Sequence, residues 1–333
     1  MRNLQIIKNS KYFVGVSVIF VILSIVAIAV FGLKLGTDFT GGSILVVEFK
    51  DIERPSIDQI NQVLEELQIE QAQIQPMGNN QYSIKMPSIT EEKHQQILSK
   101  LAEKFSTGDD SQTQTIQATT QDGQIIDIPV NIGTVNTNIV EQKFDSIGPI
   151  IGKELKNKSL LATILALIAI ALYIAYVFRH VSMPVESWKY GLVSLMALAH
   201  DIIIIIGVFA VLGKFLNVEI DALFITAILT TLGYSINNTI VTFDRIRENL
   251  HKKTNLTFKE LVNVSINETI PRSFNTSFTT FIVLAAIFFL GGATVKFFTL
   301  ALMLGIIAGT YSSVFVASPI LVMFYDLKFK KRA

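Results

Sequence analysis

The sequence predicts an α-helical polytopic membrane protein with six transmembrane helices and a small ferredoxin-like α+β domain between the first two. Three observations carry this: six long apolar runs, a strongly uneven distribution of charge, and a change of periodicity between the first and second runs. A helix needs about 20 apolar residues to cross the hydrocarbon core. The runs that meet this length are Tyr12 to Leu33, Ser159 to Phe178, Tyr190 to Leu212, Ile220 to Thr242, Ser273 to Leu290 and Phe297 to Phe324. Their few polar intrusions are the informative positions. Asp201 lies inside the third run, Asn237 and Asn238 lie inside the fourth, and the fifth is entered from Arg272.

The formal charge of +1 over 333 residues conceals a partition. Residues 34–158 hold 11 Lys/Arg against 18 Asp/Glu, a net of −7, whereas the remainder holds 17 against 9, a net of +8. Outside the inner segment the chain is too poor in charge for an ordinary soluble enzyme. It has no cysteine, which excludes disulfides, thiolate nucleophiles and zinc–thiolate sites.

Short-loop Lys and Arg set the expected orientation. The N-terminal Arg2, Lys8 and Lys11, the loop with Arg179 and Lys189, the segment from Arg245 to Arg272, and the tail from Lys328 to Arg332 hold 15 basic residues. The two opposite short loops hold only Lys214 and Lys296. Both termini are therefore expected in the cytoplasm, with residues 1–11 and 326–333 as short tails and residues 34–158 outside. Ala27-Ile28-Ala29 after a basic start is similar to a signal-peptide cleavage site. The apolar run exceeds the usual signal core, so a retained anchor over residues 12–33 is the expectation.

Within the external segment, Ser43 to Phe49 is a β-branched run, and Ser56 to Leu67 places Ile57, Ile60, Val63, Leu64 and Leu67 on one helical stripe. Ala72 to Gln75 and Tyr82 to Met86 flank Gly78-Asn79-Asn80 and predict a hairpin. Thr90 is the expected N-cap of a second helix, with Glu91 and Glu92 in its first turn. Ile125 to Val135 is expected to supply the later strand after a Gln/Thr/Asp-rich loop. The order βαββαβ predicts one sheet face covered by two helices. His94 is expected as a solvated residue on a polar helix face. The acidic balance argues against nucleic acid as a partner and favours contact with polypeptide or a partner domain.

The spans 159–325 contain the residues with chemical potential. An ionised carboxylate near mid-bilayer costs at least ~2.5 kcal/mol, so Asp201 is expected to be paired, hydrated or protonated. It serves either helix packing or transport. Thr230, Tyr234, Asn237, Asn238 and Val241 recur at helical spacing in the fourth span. Gly233 beside Tyr234 would permit close helix approach or local unwinding. Arg272, Thr276, Thr279 and Thr280 recur at helical spacing in the fifth. Each hydroxyl face taken alone reads as interhelical glue; together with an acid, amides and an arginine they suggest an ion or proton path. Residues 243–271 read as a cytoplasmic amphipathic helix or helix pair, placed at the lipid headgroups or docked on a partner.

Five ordered motifs resemble the SecF family, and the resemblance covers nearly the whole chain. Gly36-Thr37-Asp38-Phe39-Thr40-Gly41-Gly42 is similar to its Gly-x-Asp-Phe-x-Gly-Gly motif, here placing Asp38, Gly41 and Gly42 after the first span. Residues 147–155 resemble its entry to the second span, and Ala199-His200-Asp201 its third-span signature. Residues 233–241 followed by Phe243-Asp244-Arg245-Ile246-Arg247-Glu248-Asn249 resemble its most specific motif. Arg272 with Thr276-Ser277 and Thr279-Thr280 resembles the next. The resemblance implies an RND-type six-helix half that pairs with a SecD-like subunit. It further implies work with the SecYEG translocon on unfolded preprotein, driven by proton or sodium influx. The family usually has Asp where this chain has Asn238, and Arg272 corresponds to the arginine usually paired with that acid. Asn keeps the shape and removes the titratable proton. Protons then travel through Asp201 or a partner's acid, or another ion is coupled, or the position was substituted on purpose.

The competing reading is half of an RND-like exporter of lipids or small hydrophobic molecules, which expects a large apolar external cavity. The residues argue against an enzyme: His94, His180, His200 and His251 make no metal-ligand pair, and no phosphate-binding glycine loop precedes a lysine. No cofactor or metal is expected; membrane lipids are the surrounding partners.

Overall fold

The computed structural model describes residues 4–50, 54–69, 72–78, 80–105, 114–119, 125–130, 138–179, 184–252 and 255–330. Arg2, Asn79, residues 131–135, His180, Lys253, Lys331 and Arg332, which enter the sequence reading, lie outside these ranges. The chain divides into a helical unit, Met1–Gly36 with Leu155–Ala333, and an α/β unit, Thr37–Glu154.

Among the described residues, six helices are long and apolar enough to cross a membrane. They are α1 (Ser10–Phe31), α5 (Pro149–Val177), α6 (Ser187–Leu216), α7 (Ala222–Lys252), α8 (Phe258–Leu290) and α9 (Ala293–Ser312). The last continues through a π-helical turn, Ser313–Ala317, into α10 (Ser318–Lys330). Pro319 accounts for that turn, because proline lacks an N–H and its ring crowds the carbonyl four residues back.

In a bilayer, helices gain little from burying apolar side chains against one another, so association depends on close approach at small residues. The interfaces here are of that kind. A Cβ at Gly207 of α6 would overlap Ser24 of α1, and one at Gly305 of α9 would overlap Thr231 of α7. One at Gly309 would lie 2.7 Å from the Cβ of Ser235. Gly305 and Gly309 thus form a small-xxx-small seam that seats α9 on α7. The first residues of the described chain are also tied in: Leu4 N–H donates to Asn267 Oδ1 (2.9 Å) and Ile7 N–H to Asn263 Oδ1 (3.2 Å).

Residues 243–271 are the continuation of α7 and the first half of α8. Thr257 and Glu260 close a capping box at the start of α8. Ile246, Phe258, Leu261, Val262 and Ile266 are buried in the helical core together with Phe178, Tyr190 and Phe243, whereas Leu256 remains exposed. The amphipathic face therefore packs into the bundle.

The α/β unit begins with a helical turn, α2 (Thr37–Thr40), followed by β1 (Gly42–Phe49), α3 (Ile57–Glu66), β2 (Gln73–Met77) and β3 (Gln81–Met86). Then come α4 (Glu91–Phe105), β4 (Gln114–Thr119), β5 (Ile125–Val130) and β6 (Ile139–Ile147). The main sheet has the order β2-β3-β1-β6, with every pair antiparallel. This is the ferredoxin-like arrangement expected from the sequence, with one correction. Its fourth strand is β6; Ile125–Val130 instead pairs with β4 in a separate two-stranded sheet. On β1, Leu45, Val47 and Phe49 alternate into a core closed by Ile60, Val63 and Leu64 of α3 and Ile97 and Leu101 of α4. Fully burying such a side chain is worth roughly 1.5–3 kcal/mol.

His94 is a second correction. It is 3% exposed and its ring stacks on Phe144 of β6 at 3.7 Å. Nδ1 lies 3.0 Å from Glu91 Oε1 and Nε2 lies 3.4 Å from Glu141 Oε2. Hydrogen bonds from Gln95 and then His94 hold the Glu91 carboxyl below its ordinary range.

Candidate functional site

Asp201 sits at the middle of the 30-residue α6 and is 1% exposed. Its Oδ2 accepts from Ser235 Oγ of α7 (2.6 Å) and from Ser312 Oγ of α9 (2.8 Å). Its Oδ1 lies 2.9 Å from His200 Nδ1. One carboxyl group is thereby held by side chains from three helices, where an unsatisfied charge would cost several kcal/mol (~2.5 or more). Ser312 immediately precedes the π-helical turn, and Ser235 is the residue against which Gly309 packs. The His200 ring stacks on Tyr311 with centroids 6.5 Å apart, and Tyr311 O–H donates to the Phe13 carbonyl at 3.1 Å. His200 Nε2 is buried without a hydrogen-bond partner.

One turn along α7 from Ser235, Asn238 is 4% exposed and its Nδ2 is also buried without a partner. Thr231, Ser235, Asn238, Thr239, Thr242 and Asn249 are all buried on this helix. At 1.5 Å per residue the file from Thr231 to Thr242 extends about 17 Å, roughly half the thickness of the hydrocarbon core, and Asn249 lies about two turns beyond it. A second polar link lies alongside: Tyr234 O–H donates to Ser277 Oγ (2.8 Å), which lies 2.5 Å from Thr310 Oγ1.

The other residues singled out in the sequence are placed differently. Asn237, Arg272 and Thr276 are exposed, and Thr280 is partly buried with its hydroxyl donating to the Thr276 carbonyl (2.9 Å). No hydrogen bond or ion pair joins Arg272 to Asn238. Thr230 is exposed as well, so the stripe read on α7 straddles the edge of the bundle. Ser235, Ser312 and the Gly305–Gly309 seam were not singled out.

At the far end of α7, Arg245 Nε donates to Glu268 Oε2 (2.7 Å) and Nη1 to Glu248 Oε2 (2.5 Å). Asn249 Nδ2 reaches Ser265 Oγ and Glu268 Oε2, both at 2.8 Å. The bonds to Glu268 and Ser265 clasp α7 to α8, and the one to Glu248 stays within α7. Arg247 Nη1 lies 3.9 Å from Asp244 Oδ1, and Asp244 is exposed.

The glycine pair after α1 has a separate geometric reason. Gly41 has φ +77° and Gly42 φ +142°, a region that disfavours side chains. A Cβ on Gly41 would lie 2.7 Å from Pro149 Cα, and one on Gly152 would lie 2.9 Å from Gly41 N. Asp38 stands half-buried in the turn before them. The strand that opens the sheet and the segment that leaves it therefore pass in backbone contact.

Comparison with known proteins gives the family. The family model described as protein export membrane protein SecD/SecF, C-terminal, matches residues 130–327, and that of the SecD/SecF GG motif matches residues 26–51. A protein translocase subunit SecF of Thermobaculum terrenum is 35% identical over 98% of this chain and 95% of its own length. The chain belongs to the SecF family. The SecF of Anaerolinea thermophila is 32% identical over 96% of this chain and 94% of its own, and that of Haemophilus influenzae is 32% identical over 94% and 83%. The crystal structure of SecDF, a translocon-associated membrane protein from Thermus thermophilus, superposes with a TM-score of 0.72 at 28% identity, covering 96% of this chain. A SecDF structure in a super-membrane-facing form superposes with a TM-score of 0.64 at 28% identity, covering 98%. This SecF-family chain spans 38% and 39% of those two SecDF chains. The relatives are named as translocase subunits and not as enzymes.

Proposed function

We propose that this SecF-family subunit assists preprotein translocation across the bacterial cytoplasmic membrane, together with a SecD-like partner and the SecYEG channel, by drawing on a proton or sodium gradient. Both termini are cytoplasmic in this reading, and residues 34–158 lie outside, where they meet unfolded polypeptide. The observation that carries it is Asp201: a buried acid held by hydroxyls of two other helices, beside a buried polar file that runs through roughly half the thickness of the hydrocarbon core. Because Asn238 has no titratable proton, Asp201 is the residue of this chain that carries the ion. Asn238, Asn237, Tyr234, Arg272, Thr276 and Thr280 line the route or its junction with the partner. The outward faces of α5 and α8, of which this chain buries little, support a further six-helix half as the neighbour. The test is a gradient-dependent export assay on membranes in which this chain and a SecD-like chain are the sole auxiliary subunits. Loss of export stimulation with Asp201→Asn, at unchanged copurification of the partner, is expected. Stimulation that persists without any ion gradient overturns the reading.

A further inference from the structure

The start of α1, the first turns of α8 and the length of α10 enclose a groove of about 1130 Å³. Its trough is apolar, formed by Val14, Gly15 and Val18 of α1 and by Pro319 and Met323 of α10. Val18 and Met323 are 50% and 54% exposed, and a Cβ on Gly15 would meet nothing within 4 Å. No described part of the chain covers this surface.

The mouth of the groove is basic. Lys8, Lys11 and Lys259 stand there with Glu260 and Asp326. Three of these five are already committed: Lys259 pairs with Asp326 at 2.8 Å, and Glu260 closes the capping box with Thr257. Lys8 and Lys11 are exposed and make no ion pair among the described residues. Their i, i+3 spacing puts both ammonium groups on one face of the chain entering α1. That face continues through Val14, Gly15 and Val18. Two uncommitted cations above an apolar trough running along a membrane helix match an amphiphile with an anionic head and a hydrocarbon tail.

We propose that this groove is a binding site for one anionic phospholipid, its phosphate between Lys8 and Lys11 and an acyl chain along Val14, Gly15 and Val18. Each lysine close to an anionic headgroup favours it roughly fivefold, so the pair gives roughly a 25-fold preference over a zwitterionic lipid. The lysine stems cover the upper part of the trough while their charged ends stay at the headgroup level.

The test is electron spin resonance of the full chain in phosphatidylcholine vesicles carrying a trace of spin-labelled phosphatidylglycerol or spin-labelled phosphatidylcholine. The motionally restricted fraction should favour phosphatidylglycerol at least tenfold. Lys8→Gln with Lys11→Gln should abolish that preference, and Lys8→Arg with Lys11→Arg should restore it. Lys296→Gln, in the first turn of α9, should leave it unchanged. Gly15→Phe should fill the trough and lower the restricted phosphatidylglycerol with the lysines intact. Equal restriction of the two lipids, or a preference that survives the double Gln variant, overturns the proposal. Displacement by glycerol 3-phosphate at equal efficiency would mark a soluble phosphate site, and exclusion of the probe by a SecD-like partner would mark a helix-docking groove; either overturns it.

Discussion

The Ser235 hydroxyl of α7 donates to Oδ2 of Asp201 on α6 at 2.6 Å, and Gly309 of α9 packs against Ser235. The position of the acid is thus set by a serine whose own position is set by a glycine on a third helix.

Removing the serine hydroxyl leaves a buried carboxyl short of a donor. Ser235→Ala should lower unfolding stability in detergent by about 1–2 kcal/mol. Ser312→Ala should do the same, and the double variant should cost less than the sum, because the two hydroxyls share one oxygen. Denaturant titration of the purified chain measures both.

Filling the seam from the other side acts through shape. Gly309→Leu should destabilise the helical unit by about 1–3 kcal/mol through overpacking against Ser235. Gly233→Ala, where a Cβ would meet nothing within 4 Å, should be neutral or slightly stabilising. Thermal melts of the two variants separate packing from helix propensity.

In the α/β unit, Gly41 and Gly78 both have positive φ, +77° and +56°, but only Gly41 faces a wall. Gly78→Ala should cost about 1–2 kcal/mol of backbone strain. Gly41→Ala should cost more than that, because its Cβ would also collide with Pro149. Chemical denaturation of the chain, read by circular dichroism, gives the ranking.

Glu91 supplies a pH dependence. Its carboxyl titrates below the ordinary 4.5 in the folded state. Its stabilising contribution is therefore present above about pH 4.5 and is lost as pH falls through the lower folded value. Glu91→Gln should accordingly melt below the unaltered chain near neutral pH, and the two should converge in acid. A melting-temperature series from pH 7 to pH 3 checks the convergence.

Much of this was legible in the sequence because the bilayer demands long apolar runs, and the ferredoxin-like order followed from alternating periodicities. β6 escaped because Glu141, Gln142, Lys143 and Asp145 interrupt the alternation that Ile139 and Phe144 would otherwise show; it pairs only with β1 at the sheet edge, where exposed strands are charged. His94 carried a readable signal, since it lies three and seven residues before the buried Ile97 and Leu101 and so shares their stripe. Asp201 was conspicuous as a lone acid in an apolar run. Ser235 and Ser312 were not, because serines are common in membrane helices and only the tertiary fold brings these two to one oxygen. Asn237 and Asn238 are adjacent and so point about 100° apart, which leaves one at the surface and the other buried.

The most direct measurement is proton or sodium flux through vesicles holding this chain with a SecD-like partner, comparing the unaltered chain, Asp201→Asn and Asn238→Asp. Asn retains an oxygen for Ser235 and Ser312, and monodisperse protein with an unchanged melt establishes that the variants fold. The account predicts gradient-driven flux in the unaltered chain, its loss in Asp201→Asn, and flux retained in Asn238→Asp. Undiminished flux in Asp201→Asn would contradict it and return the carrier to the partner chain.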